Sequence, residues 1–505
     1  MVPHYDWISH HAMRRPDALA TVDLATDRSL TYRAFDRRIT HLAGHLQGSY
    51  DVRPGDRVAV LARNSSNTFE TQFACFRLGA IFVPLNWRLA VAELGVILTD
   101  CAPKVLIHDD DFAGQAAAIT RTHPVAHLLQ WGGGSSAYEQ AIARAMPVIT
   151  HHSSHDDVCT ILYTSGTTGT PKGAIITHGM NFWNSVNLNG ITPLTPSMVN
   201  FAVLPLFHTG GLNVFANPAF HAGGASVIMR DFDPAEAVRL IGDPAVGITH
   251  VIGIPTHFQF MEQTACFAVT DLSRLSVALV GGAPTPPALI KSWAKRGVVL
   301  VQAFGMTETS PLVLMQDEAS ALNKIGSAGK PAMHTEVRLV NADGTDAGSH
   351  ETGELWVRGP NVTPGYWNQP EVTARAITDG WLHTGDAAFR DEDGDVYIVD
   401  RWKDMYISGG ENVYPAEVEN VIYQLPAVAE VAVIGVADPR WGEVGRAIVV
   451  LRAGASLTED DVLTQCAANL GRYKLPRSVV FTDALPHNAT GKVHKPTLRQ
   501  RFGGT

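Results

Sequence analysis

The sequence predicts an α/β protein with two parts: a large N-terminal domain of mainly α/β sheets packed with helices, and a small α+β C-terminal domain. Three observations support this fold class. Short apolar runs recur along most of the chain, helical patterns separate them, and the pattern changes beyond residue 400. With 505 residues, the chain is long enough for more than one domain with a full hydrophobic core.

The apolar runs are rich in Val, Ile and Leu and do not alternate with polar residues, which is typical of strands buried on both faces. In chain order they are RVAVLA, AIFVPLN, KVLIHD, CTILYTSG, FAVLPLFH, ASVIMR, THVIGIP, SVALVGG and VVLVQAFG. Helical patterns lie between them. One covers residues 284–295, where prolines stand at an allowed helix start. Strands that alternate with helices predict a large α/β region.

The C-terminal part has a different pattern. NVYPAEVENVIYQLP predicts a helix with Pro415 near its start and an apolar stripe on one face. EVAVIGV and RAIVVLRAG predict a pair of strands, and TEDDVLTQCAANL predicts a helix capped by Thr458. A charged run meets a Gly-Gly turn in VDRWKDMYISGG, residues 399–410. We therefore predict two domains, residues 1–400 and 401–505.

The composition excludes some partners and compartments. The 39 basic and 49 acidic residues give a net charge of −10, which argues against a nucleic-acid partner. Five scattered cysteines without paired spacing predict a reducing compartment. No secretory signal and no apolar run long enough for a membrane helix is recognisable, so a cytoplasmic protein is expected. Peripheral membrane contact and a homodimer remain open.

YTSGTTGTPKGAIITH, residues 163–178, has the composition of a phosphate-binding loop. Its glycines let the backbone turn without side-chain clashes, and its amides and hydroxyls can surround an anion. A Walker A loop is excluded, because Lys172 follows Pro171 and precedes Gly173, so Gly-Lys-Ser/Thr does not occur. A flexible Gly/Thr hairpin turn is the alternative interpretation. The loop follows the predicted strand CTILY, and ligands usually bind at such strand ends.

Further motifs follow the loop in order. They are GGAP (281–284), FGMTET (304–309), GYWNQPEVTARAITDGWLHTGD (365–386), DRWKDMYISGGENVYPAEVE (400–419) and LPHNATGKVHK (485–495). From about residue 30 onward, this ordered set resembles the adenylate-forming superfamily of acyl-CoA synthetases, adenylation domains and luciferases, most closely the fatty-acid–CoA ligases. The resemblance implies an AMP-forming acid–CoA ligase. Such an enzyme makes an acyl-adenylate and pyrophosphate from ATP, and then transfers the acyl group to coenzyme A.

By this resemblance the loop binds the phosphates of ATP through Thr164, Ser165, Gly166, Thr167, Thr168, Gly169 and Lys172. Glu308, together with Thr164, is expected to hold Mg²⁺ at the phosphates, since hard cations prefer oxygen ligands. Thr307 is expected to hydrogen-bond the α-phosphate. Lys492 is expected to be the catalytic lysine, because a fixed positive charge is needed where the acid carboxylate meets the α-phosphate.

The resemblance also assigns the adenosine site. The GGAP and FGMTET motifs contribute Gly282, Ala283, Pro284, Phe304, Gly305 and Met306. Phe304 is the expected stacking partner of adenine; many relatives carry Tyr there, and loss of the hydroxyl should not impair stacking. Asp386 is expected to accept hydrogen bonds from the ribose hydroxyls, and Arg401 is expected to help hold the ribose.

Lys403 lies where the family has its hinge, so the C-terminal domain is expected to be a mobile lid that swings between the two half-reactions. Gly409 and Gly410 are expected to line the pantetheine tunnel, because small residues allow close approach. Trp441, Tyr473 and Lys474 are expected to hold the nucleotide end of coenzyme A. Ordinary surface packing is the alternative for these two aromatic residues.

His208, in PLFHTGG, falls where relatives place a histidine near the acyl carbon. A gate or orienting role is expected, with a structural histidine as the alternative. The acid pocket is expected from residues 180–190, 208–213 and 253–259 with the GGAP and FGMTET motifs. These segments are mostly apolar and contain no arginine, which disfavours diacids. A medium- or long-chain fatty acid is the first expectation, and an aryl or arylalkyl acid the second.

Other functions share part of this pattern. An adenylation enzyme that feeds a carrier protein is disfavoured by GGENV, which resembles the branch that uses coenzyme A. A luciferase-like oxygenase shares every adenylation motif, whereas a regulator without catalysis would lack Lys492 or Glu308. The histidine clusters HYDWISHH and HHSSHDD are expected to be loops rather than metal sites, although His151 and His155 have the spacing of a helical metal pair.

Overall fold

A computed structural model of the protein describes residues 2–144, 146, 148–164, 171–401, 404–408, 411–487 and 493–504, with the backbone alone at residues 401, 411 and 412. The described residues form mixed α/β structure, so the predicted fold class is confirmed. The chain divides into two compact units. The first comprises Met1–Glu336 and Val357–Leu382, and the second comprises Val337–Trp356 and His383–Thr505.

The strands are β1 Leu19–Asp23, β2 Arg28–Thr31, β3 Arg57–Leu61, β4 Ile81–Leu85, β5 Val105–Asp109, β6 His127–Trp131, β7 Val158–Thr164, β8 Lys172–Thr177, β9 Val199–Ala202, β10 Ala225–Ile228, β11 His250–Gly253, β12 Val277–Gly281, β13 Leu300–Gly305, β14 Leu312–Met315, β15 Lys330–Pro331, β16 Glu336–Val340, β17 Gly353–Arg358, β18 Ile377–Thr378, β19 Trp381–Arg390, β20 Val396–Arg401, β21 Tyr406–Ser408, β22 Glu411–Val413, β23 Val428–Asp438, β24 Gly442–Leu451 and β25 Ser478–Phe481.

The α-helices are α1 Trp7–Arg14, α2 Tyr32–Tyr50, α3 Ser66–Leu78, α4 Val91–Cys101, α5 Ala113–Thr122, α6 Ala137–Ala143, α7 His178–Asn189, α8 Ala216–Ala222, α9 Pro234–Gly242, α10 Pro255–Glu262, α11 Pro287–Lys295, α12 Glu318–Ala321, α13 Pro370–Ala376, α14 Pro415–Ile422, α15 Glu459–Asn469 and α16 Lys495–Phe502. Short 3₁₀ turns occur at Asp110–Phe112, Thr307–Thr309 and Arg472–Lys474, and a π-helical turn at Gly210–Val214.

A six-stranded sheet in the first unit has the order β6-β5-β3-β4-β7-β8. Its strands run parallel except β8, which pairs antiparallel with β7. Along β3, Val58 and Val60 belong to one hydrophobic core cluster, and Ala59 and Leu61 belong to another. Both faces of this strand are therefore packed, which explains why its apolar residues do not alternate with polar ones.

The second sheet of this unit has the order β15-β14-β13-β12-β11-β9-β10-β1-β2. Its central strands are parallel, and antiparallel strands stand at both edges. The carboxyl ends of β13, β12, β11 and β9 follow one another along one edge. The segments that leave these ends, FGMTET, GGAP, GIPTHFQ and PLFHTGG, are therefore neighbours, as expected for ligand-binding segments of parallel sheets.

The second unit contains the predicted C-terminal elements. β23 and β24 form a long antiparallel pair, and β25 joins β24 in parallel. Pro415 occupies the first turn of α14, and the Thr458 hydroxyl caps α15 by accepting from the amide of Asp461. The two predicted helices and the predicted strand pair are therefore confirmed. They could be predicted because helix capping and apolar periodicity depend on residues close together in the sequence.

The remaining sheet has the order β16-β17-β19-β18, with β20 on β19. Most of its residues belong to the second compact unit, and the boundaries between the compact units fall within residues 336–383. The division into domains 1–400 and 401–505, with the second as a mobile lid, stays a prediction.

Three local predictions were wrong. The run FAVLPLFH is a strand only as far as Ala202, and Pro205, which lacks a backbone donor, stands in the part that leaves the sheet. The helix expected from residue 284 begins at Pro287, with Pro286 as its cap. The cluster HYDWISHH is partly helical, because the Asp6 carboxylate caps α1 by accepting from Ser9 N at 2.9 Å. His151 and His155 lie in a loop, as predicted.

Among the described residues, no helix combines the length and apolar character needed to cross a bilayer.

Candidate active site

The predicted phosphate loop connects the antiparallel strands β7 and β8. Thr164 ends β7 and Lys172 begins β8, and these two residues are register partners. The Thr164 hydroxyl donates to the Lys172 carbonyl at 3.4 Å. The loop thus leads from a strand into a strand, whereas a Walker A loop leads into a helix. The predicted loop residues between them, Ser165, Gly166, Thr167, Thr168 and Gly169, lie outside the described residues.

Tyr366 connects this hairpin with the predicted metal carboxylate. Backbone hydrogen bonds join residues 365–367 to β8, which places the Tyr366 ring beside Lys172. The Lys172 Nζ lies 5.6 Å from the ring centroid, a cation–π distance. The Tyr366 hydroxyl donates to Glu308 Oε1 at 2.8 Å. One aromatic side chain therefore bridges a predicted phosphate ligand and a predicted Mg²⁺ ligand.

Thr307 and Glu308 lie in the 3₁₀ turn that follows β13, and both side chains are buried. The turn is held from the segment after β17. Thr363 N donates to the Glu308 carbonyl at 2.7 Å, and Asn361 Nδ2 donates to the Thr309 carbonyl at 2.9 Å. Because buried backbone groups are costly when unpaired, these bonds fix the position of the turn. The Glu308 carboxylate is thus presented on a rigid backbone.

The predicted adenine-binding motifs lie at neighbouring strand ends. Gly281 of β12 is the register partner of Ala303 of β13, so GGAP lies next to FGMTET. Gly282, Ala283 and Pro284 are exposed, and Phe304 and Met306 are half-buried. The structure brings these predicted residues together at one edge of the sheet, where a flat base could lie against the Phe304 ring.

Gly305 is required where the FGMTET motif leaves the sheet. A Cβ atom added there would lie 1.9 Å from the Pro311 carbonyl oxygen. The backbone of β13 therefore approaches the returning chain more closely than any side chain allows. This close approach places the turn at Thr307 directly after the strand.

His208 stands just before the π-helical turn Gly210–Val214. The Gly210 amide donates to His208 Nδ1 at 3.1 Å, so Nδ1 is an acceptor and the neutral ring carries its proton on Nε2. The His208 carbonyl accepts from the amides of Gly211 and Leu212 at 3.1 and 3.0 Å. These bonds set the ring orientation, and π-helical turns occur frequently at functional sites.

The two predicted ribose ligands lie in the second compact unit. Asp386 of β19 and Arg401 of β20 are register partners on adjacent antiparallel strands. Asp386 is buried, and its amide donates to Thr384 Oγ1 at 3.0 Å. The structure thus brings the two positions side by side; of Arg401 only the backbone is described. Four further predicted residues, Lys403, Gly409, Gly410 and Lys492, lie outside the described residues.

The residues predicted to hold the nucleotide of coenzyme A are accessible on the second unit. Trp441 is 37% exposed, and the Arg440 and Arg477 guanidinium carbons lie 5.0 and 6.0 Å from its ring centroid. Tyr473 is 41% exposed. Lys474 already donates to both carboxylate oxygens of Glu417, at 2.6 and 2.8 Å. A phosphate at Lys474 would therefore have to compete with that carboxylate.

Sequence reasoning missed three residues of the phosphate side. Tyr366 stands in the recognised motif beginning GYWNQ, but no role was expected for it. Asn361 and Thr363 hold the Glu308 turn, and they are about fifty residues away from it in the chain. No periodicity or spacing could reveal them, because their partners are distant in sequence.

Comparison with known proteins places this arrangement in a family. The model of the AMP-binding enzyme family matches residues 8–367, and that of the AMP-binding enzyme C-terminal domain matches residues 417–492. Together these two matches cover most of the chain.

Individual relatives match over almost their whole length. A feruloyl-CoA synthase of Amycolatopsis sp is 44% identical over 497 residues, which is 98% of both chains. The long-chain-fatty-acid–CoA ligase FadD13 of Mycobacterium tuberculosis is 37% identical, covering 97% of this chain and 96% of the relative. The crystal structure of ATP-bound MatB from Rhodopseudomonas palustris superposes with a TM-score of 0.91 at 31% identity, covering 99% of each chain. Since the fold, the motif order and these matches agree, the chain belongs to the AMP-binding enzyme family and is an AMP-forming acyl-CoA synthetase of the adenylate-forming superfamily.

Proposed function

We propose that this acid–CoA ligase activates an aryl-substituted carboxylic acid of the type of ferulate and transfers the resulting acyl group to coenzyme A. The observation that carries the proposal is the similarity to feruloyl-CoA synthase along the full chain. A medium- or long-chain fatty acid, the first expectation from the sequence, becomes the second candidate because the fatty-acid ligase FadD13 is less similar.

The composition of the predicted acid pocket supports an acid with one carboxylate. Residues 180–190, 208–213 and 253–259 contain neither Arg nor Lys. A second carboxylate there would lose its hydration without gaining a cationic partner, which is costly. Monocarboxylic acids are therefore favoured.

In the first half-reaction, the acid carboxylate attacks the α-phosphate of ATP and pyrophosphate leaves. The loop around Thr164 and Lys172 holds the leaving phosphates, and Thr307 donates to the α-phosphate. Lys492 supplies positive charge between the two anions, where the charge of the transition state develops. His208 orients the acid through its Nε2 proton. Asp386 and Arg401 hold the ribose, while Phe304 stacks on adenine.

The chemistry of the Glu308 side chain fits a divalent cation. Its carboxylate is buried and accepts from the Tyr366 hydroxyl at Oε1, and its remaining lone pairs would hold Mg²⁺. The strand β8, which continues the phosphate loop, contacts the Thr307–Thr309 turn. Thr164 Oγ1 is the second proposed ligand. Bound Mg²⁺ would neutralise charge on the phosphates.

In the second half-reaction, the thiol of coenzyme A attacks the acyl carbon of the adenylate and AMP leaves. The proposed swing about Lys403 brings Gly409 and Gly410 to the pantetheine chain, and Trp441, Tyr473 and Lys474 to the nucleotide. The same C-terminal domain would thus serve two chemistries in turn.

The test is a panel of acids assayed for pyrophosphate release and for acyl-CoA formation. Ferulate, cinnamate and indole-3-acetate represent aryl acids, and octanoate and palmitate represent fatty acids. We expect kcat/KM for the best aryl acid to exceed that for either fatty acid by at least about tenfold, or about 1.4 kcal/mol. Highest activity with the fatty acids, rising smoothly with chain length, would show that the aryl assignment is wrong.

A further inference from the structure

Three of the buried residues of α7 are asparagines at intervals of three residues: Asn181, Asn184 and Asn187. Buried amides must have hydrogen-bond partners, so each of them joins α7 to other segments. Asn187 accepts from His334 N at 3.0 Å and donates to Thr335 Oγ1 at 3.2 Å. It therefore binds a single loop.

Asn184 binds two separate segments through the two ends of its amide. Its Nδ2 donates to the carbonyl of Asn213 at 2.8 Å, and its Oδ1 accepts from the amide of Leu312 at 3.2 Å. The side chain is 1% exposed, so water cannot replace either bond at low cost. The two bonds fix the distance between the two segments.

The first of these segments belongs to the acid side. Asn213 lies in the π-helical turn Gly210–Val214, and the start of this turn donates to the carbonyl and to Nδ1 of His208. A displacement of His208 on binding of the acid would therefore move the carbonyl to which Asn184 donates.

The second segment belongs to the ATP side. Leu312 begins β14 and is the register partner of Gly305, two residues before Thr307. The Leu312 carbonyl accepts from Asn361 Nδ2 at 2.8 Å, and the same Nδ2 donates to the Thr309 carbonyl. The amide of Leu312 is thus tied to the turn that presents Thr307 and Glu308.

We propose that Asn184 is a positioning residue that couples the acid pocket to the ATP and Mg²⁺ turn. It holds the His208 segment and the Glu308 segment at the spacing at which the carboxylate meets the α-phosphate. The assignment rests on the proposed roles of His208 and Glu308. A misplacement of either reactant is costly in such a reaction, because the attacking oxygen must approach the phosphorus in line.

Asn217 offers a matched control. It is 2% exposed, and its Nδ2 donates to the Asn213 side-chain oxygen at 2.8 Å. Its own oxygen accepts from Gln72 Nε2 at 2.7 Å, so its amide joins the π-helical turn to α3 and not to Leu312. Asn184→Ala and Asn217→Ala each remove one buried amide that contacts Asn213. Only the first removes the connection to the Glu308 segment.

The experiment measures pyrophosphate release with ATP and the preferred acid for the wild-type protein and both variants, with thermal midpoints recorded in parallel. For Asn184→Ala we expect kcat to fall by about tenfold, because the two reactants are misaligned, and the KM values of ATP and of the acid to rise together. For Asn217→Ala we expect the KM of the acid alone to change. If both side chains had a purely structural role, the thermal midpoints of both variants would fall, and the KM values of ATP and of the acid would not respond differently in the two variants.

The results separate the possible errors. The proposed role of Asn184 would be wrong if the two variants changed the KM values of ATP and of the acid equally. It would also be wrong if Asn184→Ala changed the KM of only one of the two substrates. If Asn184→Ala does not fold, Asn184→Asp, which keeps the side-chain volume, takes its place with the same expectation. Failure of the wild-type protein to release pyrophosphate with any acid would instead refute the proposed function.

Discussion

At the scale of single residues, one hydroxyl group contacts the carboxylate that we propose as a Mg²⁺ ligand. The Tyr366 hydroxyl donates to Glu308 Oε1, and its ring lies beside the Lys172 ammonium group. A buried carboxylate requires donors or a cation, and a hydrogen bond to a charged group contributes about 1.5–3 kcal/mol. Tyr366 therefore limits the rotation of the Glu308 carboxylate, which we propose as a Mg²⁺ ligand.

Tyr366→Phe should lower kcat/KM for Mg·ATP in the adenylation assay by about tenfold, since the oriented hydrogen bond is lost and the ring remains. Thioester formation from a supplied acyl-adenylate should change little, because pyrophosphate has already left. Tyr423→Phe is the control: its hydroxyl donates to the Ala429 carbonyl at 3.2 Å in the second unit. Equal behaviour of the two variants would contradict the role of Tyr366.

At the scale of elements, α16 is tied to both sides of the predicted hinge. Its Lys495 Nζ lies 2.9 Å from Glu419 Oε1 and 3.9 Å from Asp400 Oδ2, and its Arg499 donates to Asp404 at 2.9 Å. Burial alone would lower the pKa of the Lys495 ammonium group, but Glu419 and Asp400 raise it above its ordinary value. The chain before and after residue 403 is therefore in contact with one helix, and a swing about residue 403 would have to break the longer of these contacts, the one with Asp400.

Lys403→Pro should leave adenylation intact and block thioester formation. Proline fixes φ and removes an amide donor, so a backbone that must change its dihedral angles is held in one state. Single-turnover assays of the two half-reactions provide the measurement, and Lys403→Ala is the control that removes the side chain alone. Normal thioester formation by Lys403→Pro would show that the hinge lies elsewhere.

At the scale of the whole molecule, burial lowers the pKa values of several histidines of the first unit. The His4 ring stacks on His178 with centroids 3.8 Å apart. Burial lowers the pKa of His4 to about 4 and holds that of His178 well below its usual range. Burial also lowers the pKa values of His221, His250 and His257 to about 4. Near His4, Asp6 opposes the shift and His155 adds to it.

The free energy of unfolding should fall as the pH decreases from about 6.5 to about 4. In this window the unfolded chain binds protons that the folded histidines do not, so acid favours unfolding, by up to about 1.4 kcal/mol for each unit of pKa difference. Thermal midpoints across this window provide the measurement. His4→Gln should reduce the slope. A midpoint independent of pH would refute the buried neutral state.

The sequence by itself determined the fold class, most strands of the first unit and the chemistry of the family. Runs such as RVAVLA mark strands because packing on both faces demands apolar residues throughout. Helix α15 could be read from Thr458 and an apolar stripe, since capping and periodicity act within a few residues. The ordered motifs pointed to acyl-CoA synthesis in the same way, because each is a short continuous segment.

Only the tertiary structure decided how those segments meet. Tyr366 and Glu308 are 58 positions apart, and Asn184 and Leu312 are 128 apart, yet each pair shares a hydrogen bond. Such bonds form because strand ends at one sheet edge bring distant segments together, and burial then requires every polar group to find a partner. A local sequence pattern does not indicate which distant residue will be the partner. The contacts of Tyr366 with Glu308 and Lys172, and those of Asn184 with Asn213 and Leu312, could therefore be identified only in the folded structure.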